Sequence, residues 1–171
     1  MDKLSPNGAG VAAPSLLLLT SPTSQGVTAL YTTDILRLAA TAPYAERLSE
    51  PMATSEKRSP VCGSRVTVDV DTDGEGRVER IGMLVRACAL GQAAASLMSA
   101  HAIGKSPHEL AATRDALAAW LTGEREDAPD WPGLEIFAAA RPHSARHASI
   151  RLAFEAVAEA AHEAAARVPA R

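Results

Sequence analysis

Val66, Val68 and Val70 alternate with Arg65, Thr67, Asp69 and Asp71, and after the turn Thr72-Asp73-Gly74-Glu75-Gly76 the alternation resumes with Ile81, Met83 and Val85. A period of two with one apolar face makes a half-buried strand. An Asp-Gly turn between two such runs supplies the positive-φ positions a hairpin needs. The pattern therefore predicts antiparallel strands at 65–71 and 77–86, with Val66, Val68 and Val70 inward, the polar set outward, and Gly82 as a bulge. The only two cysteines bracket this hairpin: Cys62 just before the first strand, Cys88 just after the second. A hairpin brings its two ends together, so both thiols are expected at one end of the sheet.

Helical signals surround the hairpin. Leu30, Ile35 and Leu38 with Pro43 beyond them predict a helix over 28–40. Residues 44–61 are polar and broken by prolines, with an edge strand expected around Glu46–Glu50. Leu90, Ala94, Leu97, Met98 and His101 form a stripe for a helix from Cys88 to Ile103, ended by Gly104. Ser106-Pro107-His108-Glu109 has the form of a capping box with proline at the first helical position. It opens a helix that carries Leu110, Leu117 and Leu121 inward and stops at Gly123. Residues 124–145 read as an acidic connection whose Trp131, Leu134 and Phe137 pack on the core. Ile150, Phe154, Val157, Ala161 and Ala164 predict a last helix over 146–168. The fold class is α+β, a small antiparallel sheet with helices on one face. Residues 1–26, rich in Ser, Pro, Gly and Thr, read as a mobile tail ahead of a single domain over 27–168.

Composition excludes several functions. A net charge of −3 over 171 residues argues against nucleic acid as a partner. The Leu16–Leu19 run is too short to span a membrane. Two cysteines without other secretory signals fit a reducing cytoplasmic setting. The acidic Asp73-Gly74-Glu75-Gly76 turn is no phosphate loop. No Asn or Asp is placed to orient a Cys–His pair, so an enzymatic nucleophile is not expected.

The cysteines carry the chemistry. Cys88 is expected at a helix N-terminus, facing the positive end of the helix dipole. Cys62 precedes Gly63, where the backbone can turn sharply and leave its N–H groups free. Two converging thiolates suit a soft metal or an iron–sulfur unit; two buried structural cysteines are the alternative. The spacing is not that of a zinc finger, so further ligands must come from elsewhere. His143 and His147, at the start of the last helix, are candidates, with His143 read as a surface residue. His101 reads as a packing residue, and His108 and His162 as exposed.

Cys62-Gly63, the Val-rich hairpin, Cys88 opening a helix of small residues and Ile103-Gly104-Lys105 resemble the iron–sulfur cluster assembly scaffolds of the NifU/IscU type. Leu30-Tyr31, Trp120-Leu121-Thr122-Gly123 and Arg146-His147-Ala148-Ser149-Ile150 add to the likeness, which is greatest to the SufU branch and covers residues 28 to 165. In that family three cysteines and an aspartate surround the metal. The resemblance implies that Cys62 and Cys88 are the first two cysteines, that Ser64 stands at the aspartate position, and that Ser149 stands at the third cysteine. It further implies a non-enzymatic scaffold holding a [2Fe–2S] cluster or iron, with zinc as another occupant. The partners it implies are a cysteine desulfurase, cluster acceptors, and a second copy of the chain in a homodimer. A degenerate paralogue serving as a sulfur relay or regulatory partner, without a stable cluster, is the alternative. His147, two residues before Ser149, is the expected third metal ligand beside Cys62 and Cys88.

Overall fold

The computed structural model describes residues 30–170; the expected tail and the Leu16–Leu19 run lie outside the described residues. Helix α1 (Thr33–Ala40) leads into strands β1 (Ala53–Arg58), β2 (Arg65–Thr72) and β3 (Val78–Arg86). Helices α2 (Ala89–Ala102) and α3 (Pro107–Thr122), a 3-10 helix (Leu134–Ala140) and helix α4 (Ser144–Ala166) follow. The strands form one antiparallel sheet in the order β1-β2-β3. Val66, Val68 and Val70 are fully buried beneath α4, which packs along β1 and β2 while α2 packs on β3. The α+β class and the helices on one face are as expected.

The local chemistry explains most boundaries. Ser106 accepts from Glu109 N while the Glu109 carboxylate accepts from Ser106 N, and Pro107 opens α3 as the capping box requires. Gly123 closes α3 in the left-handed conformation at φ 84°. In the hairpin turn the positive φ falls on Gly76 (77°), and the Asp73 carboxylate accepts from Glu75 N and Arg77 N.

Several expectations are corrected or extended. The first helix does not run unbroken from 28: the chain restarts at Thr32, whose hydroxyl accepts from Ile35 N and caps α1. The edge strand is β1, a few residues after Glu46–Glu50. Its inward positions are Ala53, Ser55 and Lys57, and it meets α4 through Ser55 Oγ donating to Glu159 (2.7 Å) and the Lys57–Glu159 ion pair. The connection 124–145 contains the 3-10 helix, which buries Leu134 and Phe137. Trp131 donates through Nε1 to Leu97 O and meets Phe154 edge-on. The outer face of β2 is also buried at Thr67 and Asp69.

That outer face is covered by a strap, residues 44–52. Met83 N donates to Tyr44 O and Glu46 O, so the strap also closes the edge of β3 there. Gly82 marks this crossing rather than a bulge; the register shift lies at Asp71/Thr72. A Cβ on Gly82 would sit 2.5 Å from Glu46 O and 2.8 Å from Leu48 N, both backbone atoms. Gly82→Ala is expected to cost about 2 kcal/mol by displacing the strap, read as a lowered denaturation midpoint. An unchanged midpoint would show that the strap does not rest on Gly82.

Candidate metal and sulfur site

The site is built at the end of the sheet where β2 begins and β3 ends. Arg65 pairs with Arg86, so the loop 59–64 and the Ala87-Cys88 junction leave the sheet side by side. The loop is closed by Ser59 N donating to Ser64 O (2.8 Å) and Gly63 N donating to Ser59 O (3.2 Å). Gly63 takes φ 70°, as its place in the turn predicts, but its N–H is spent inside the loop rather than free for a ligand. Ser59, almost fully buried, accepts from Val61 N and Cys62 N.

This folding turns Cys62 onto hydroxyl groups. Ser64 Oγ and Ser149 Oγ each lie 3.1 Å from Cys62 Sγ, and both serines are buried. Burial pushes the Cys62 thiol up. Hydrogen bonds from the Ser149, Ser59 and Ser64 hydroxyls and the Ser64 backbone outweigh it and bring the thiol down to about 6. Cys62 is thus an accessible thiolate at neutral pH, the form that attacks sulfur and binds soft metals.

Cys88 occupies the N-cap of α2, half-buried, with no side-chain cap bond and no acidic residue in the first turn. Ser149 lies between the Cys62 loop and the first turn of α2. Its hydroxyl meets Cys62, and its carbonyl lies 3.1 Å from the position a Cβ would take on Gly91, in the first turn of the helix Cys88 caps. Gly91 lets α4 approach that turn closely, which places the Cys62–Ser64–Ser149 cluster at the end of the sheet where α2, headed by Cys88, begins.

His147 is placed differently. Its ring is buried, with Nε2 2.9 Å from Arg141 O and 3.1 Å from Ala140 O. A carbonyl can only accept, so Nε2 carries the proton and ties α4 to the end of the 3-10 helix. No three His, Cys, Asp or Glu side chains converge among the described residues. The expected Cys62, Cys88, His147 set is therefore not assembled. His143, the N-cap of α4, makes no side-chain cap bond and is half-buried. His101, read as a packing residue, is exposed with its edge toward Trp131; His108 and His162 are exposed as expected. Ser59 was not singled out by sequence reasoning.

A NifU-like nitrogen-fixing protein (N-terminal part) from Brucella abortus matches this architecture with a TM-score of 0.77. Its sequence is 35% identical, over 83% of this chain and 99% of that one. The chain belongs to the NifU-like family. An iron–sulfur cluster assembly scaffold protein for the SUF system from Fervidobacterium islandicum shares the fold at a TM-score of 0.71 and 18% identity, over 77% of this chain and 96% of that one. A third structure, of a protein described only as hypothetical, has a TM-score of 0.62 at 23% identity, over 75% and 94% of the two chains. No protein-family model and no curated protein matches the chain. The likeness to NifU/IscU/SufU-type scaffolds inferred from Cys62-Gly63, the hairpin and Cys88 thus holds in three dimensions. No helix among the described residues is long and apolar enough to cross a membrane.

Proposed function

We propose that this NifU-like chain accepts sulfur from a cysteine desulfurase and iron from a donor, assembles a [2Fe–2S] cluster, and hands it to acceptor proteins. The 35% identity to a NifU-like protein over nearly its whole length carries this reading. The chain acts as a carrier rather than a catalyst, and its two free cysteines suit a reducing cytoplasm. Cys62 takes the sulfur. Its thiolate attacks the outer sulfur of a desulfurase persulfide, a new S–S bond forms at Cys62, the donor's S–S bond breaks, and the donor leaves as a thiolate. The step is redox-neutral.

The cluster is cargo, and this chain offers it a thin set of donors. Cys62 and Cys88 supply thiolates; Ser64 and Ser149 bring only neutral hydroxyls, and the Nε2 of His147 is engaged with backbone carbonyls. Iron alone or zinc would use the same two thiols. A second copy of the chain, or the acceptor itself, completes the coordination. One observation favours the sulfur-relay alternative: both hydroxyls that replace stronger ligands face Cys62 Sγ, where they stabilise an anionic sulfur without a metal.

Anaerobic incubation with ferrous iron, cysteine and a cysteine desulfurase, with a thiol reductant that turns the persulfide sulfur into sulfide, tests the reading by visible absorption. The sulfur gained without iron is read by mass before the reductant is added. Sulfide-to-iron charge-transfer bands are expected in the wild type and absent in Cys62→Ala and Cys88→Ala. A colourless protein that gains the mass of one sulfur atom at Cys62 would replace the scaffold reading with the relay. A protein that gains neither cluster nor sulfur would refute both.

A further inference from the structure

The end of the sheet beside the Cys62 loop carries an unusual row of charge. Arg58 lies directly opposite Arg65 across β1–β2, and Arg65 directly opposite Arg86 across β2–β3. Directly opposed residues share a face, so the three guanidinium groups stand in line on the face away from Val66 and the helices. Like charges in this position destabilise a sheet. Glu56 alone answers them, 2.7 Å from Arg58 and 3.9 Å from Arg65. Arg86 is exposed and makes no ion pair among the described residues. The exposed apolar residues Leu84, on the same face, and Val61, in the loop, flank the row.

The surrounding sequence does not neutralise it. Residues 57–68, 80–108 and 136–154, the segments that build the site, contain no Asp or Glu. The whole chain holds 20 Asp and Glu against 17 Lys and Arg. Glu56 apart, the segments that build the site bring no carboxylate to it, so its rim is positive on an acidic protein. A merely solvated face would mix signs, as the Arg37–Asp34 and Arg80–Asp71 pairs do elsewhere.

From this we infer that the Arg58–Arg65–Arg86 row is a docking surface for a carboxylate-rich segment of a protein partner. The row draws the segment in by charge, and Leu84 and Val61 give it apolar contact beside the Cys62 loop. The inference goes beyond the scaffold reading: it needs no cluster and no sulfur transfer, so either can fail alone.

A fluorescein-labelled oligoglutamate peptide, followed by fluorescence anisotropy on the full chain, is the probe. The wild type is expected to bind it in a salt-sensitive way, and Arg58→Gln/Arg65→Gln/Arg86→Gln to bind at least about tenfold more weakly. Arg86→Gln alone, which disturbs no ion pair, should weaken binding part of the way. The control Arg37→Gln/Arg80→Gln, at arginines already paired, should bind nearly as the wild type does. An equal loss in that control would reduce the effect to general charge and overturn the inference, as would absence of binding. So would displacement of the peptide by a single-stranded oligonucleotide more effectively than by unlabelled oligoglutamate. The triple variant should melt close to the wild type, because relief of the arginine repulsion offsets the loss of the exposed Glu56 pairs; a large fall in melting temperature would make the row structural and also overturn the inference.

Discussion

Asp69→Ala is expected to lower the melting temperature by roughly 6–12 °C, the result of losing about 3 kcal/mol in a domain of this size. Asp69 is fully buried on the outer face of β2 and accepts four hydrogen bonds. Arg47 donates to it through Nε (2.5 Å) and Nη2 (2.8 Å), Leu48 through its backbone N (3.0 Å) and Thr54 through Oγ1 (2.6 Å). These bonds pin the strap, and the strap is not relaxed without them. It contains two non-glycine residues in the left-handed region, Tyr44 at φ 57° and Glu50 at φ 56°. Such residues persist where the surroundings hold them. Removing the carboxylate leaves Leu48 N and Thr54 without their acceptor and Arg47 without its counter-ion. The half-exposed Arg47 can rehydrate, which keeps the cost below that of a fully buried pair.

The pH dependence has a definite sign. Burial pushes the Asp69 carboxyl up, but the bonds from Arg47, Thr54 and Leu48 outweigh it and hold it below the usual carboxylate range. A group whose folded pKa is depressed stabilises fully above its unfolded pKa, about 3.9 for Asp, and loses that contribution as pH falls through the folded value. The gap in melting temperature between the wild type and Asp69→Asn should therefore be widest at neutral pH and shrink below about pH 4. A gap that grows on acidification would contradict the depressed carboxyl.

The β2–β3 hairpin is legible because its inward positions are valine, isoleucine and methionine at a strict period of two. β1 is not, because its inward positions are Ala53, Ser55 and Lys57, chosen for small size and for polar contact with Glu159 of α4. Asp69 reads as a solvent-facing strand residue by the same alternation. Only the strap, whose acceptor groups and left-handed turns have no local period, makes it a core residue. The 3-10 helix left a trace: Trp131, Leu134, Phe137 and Ala140 recur every third residue and all are buried, the spacing of a three-residue turn. At the site, the two cysteines are evident from their places around the hairpin. Ser149 emerges only from the family likeness, and Ser59 not at all, since a serine in a loop looks the same whether its hydroxyl meets water or lies beneath a thiolate. His147 looks like a ligand because its acceptors are backbone carbonyls, which no side-chain pattern announces.

Replacing Ser64 with Asp and Ser149 with Cys together is expected to tighten zinc binding at least about 100-fold, since outer-shell changes alone move metal affinity 10–100-fold. The resemblance to the NifU/IscU-type scaffolds implies an aspartate and a third cysteine at these two positions. Ser149 Oγ already lies 3.1 Å from Cys62 Sγ in a fully buried position, so a thiol of nearly the same shape can be placed there without rebuilding α4. The double change turns two neutral oxygens into two anionic ligands, giving three thiolates and a carboxylate, a set that suits tetrahedral zinc. Competition against a chromophoric chelator under reducing conditions measures it; an unchanged affinity would mean that the four positions do not share a metal. The same variant should lose something. The wild-type hydroxyls stabilise the Cys62 thiolate without adding charge, which holds that thiol at about 6. Two new anions beside it oppose its ionisation when no metal is bound, so alkylation of Cys62 in the metal-free variant should slow at neutral pH. Serines at these positions thus favour a reactive sulfur over a tightly held metal, and gain of zinc affinity with loss of thiol reactivity in one protein would show the two properties trading against each other at Ser64 and Ser149.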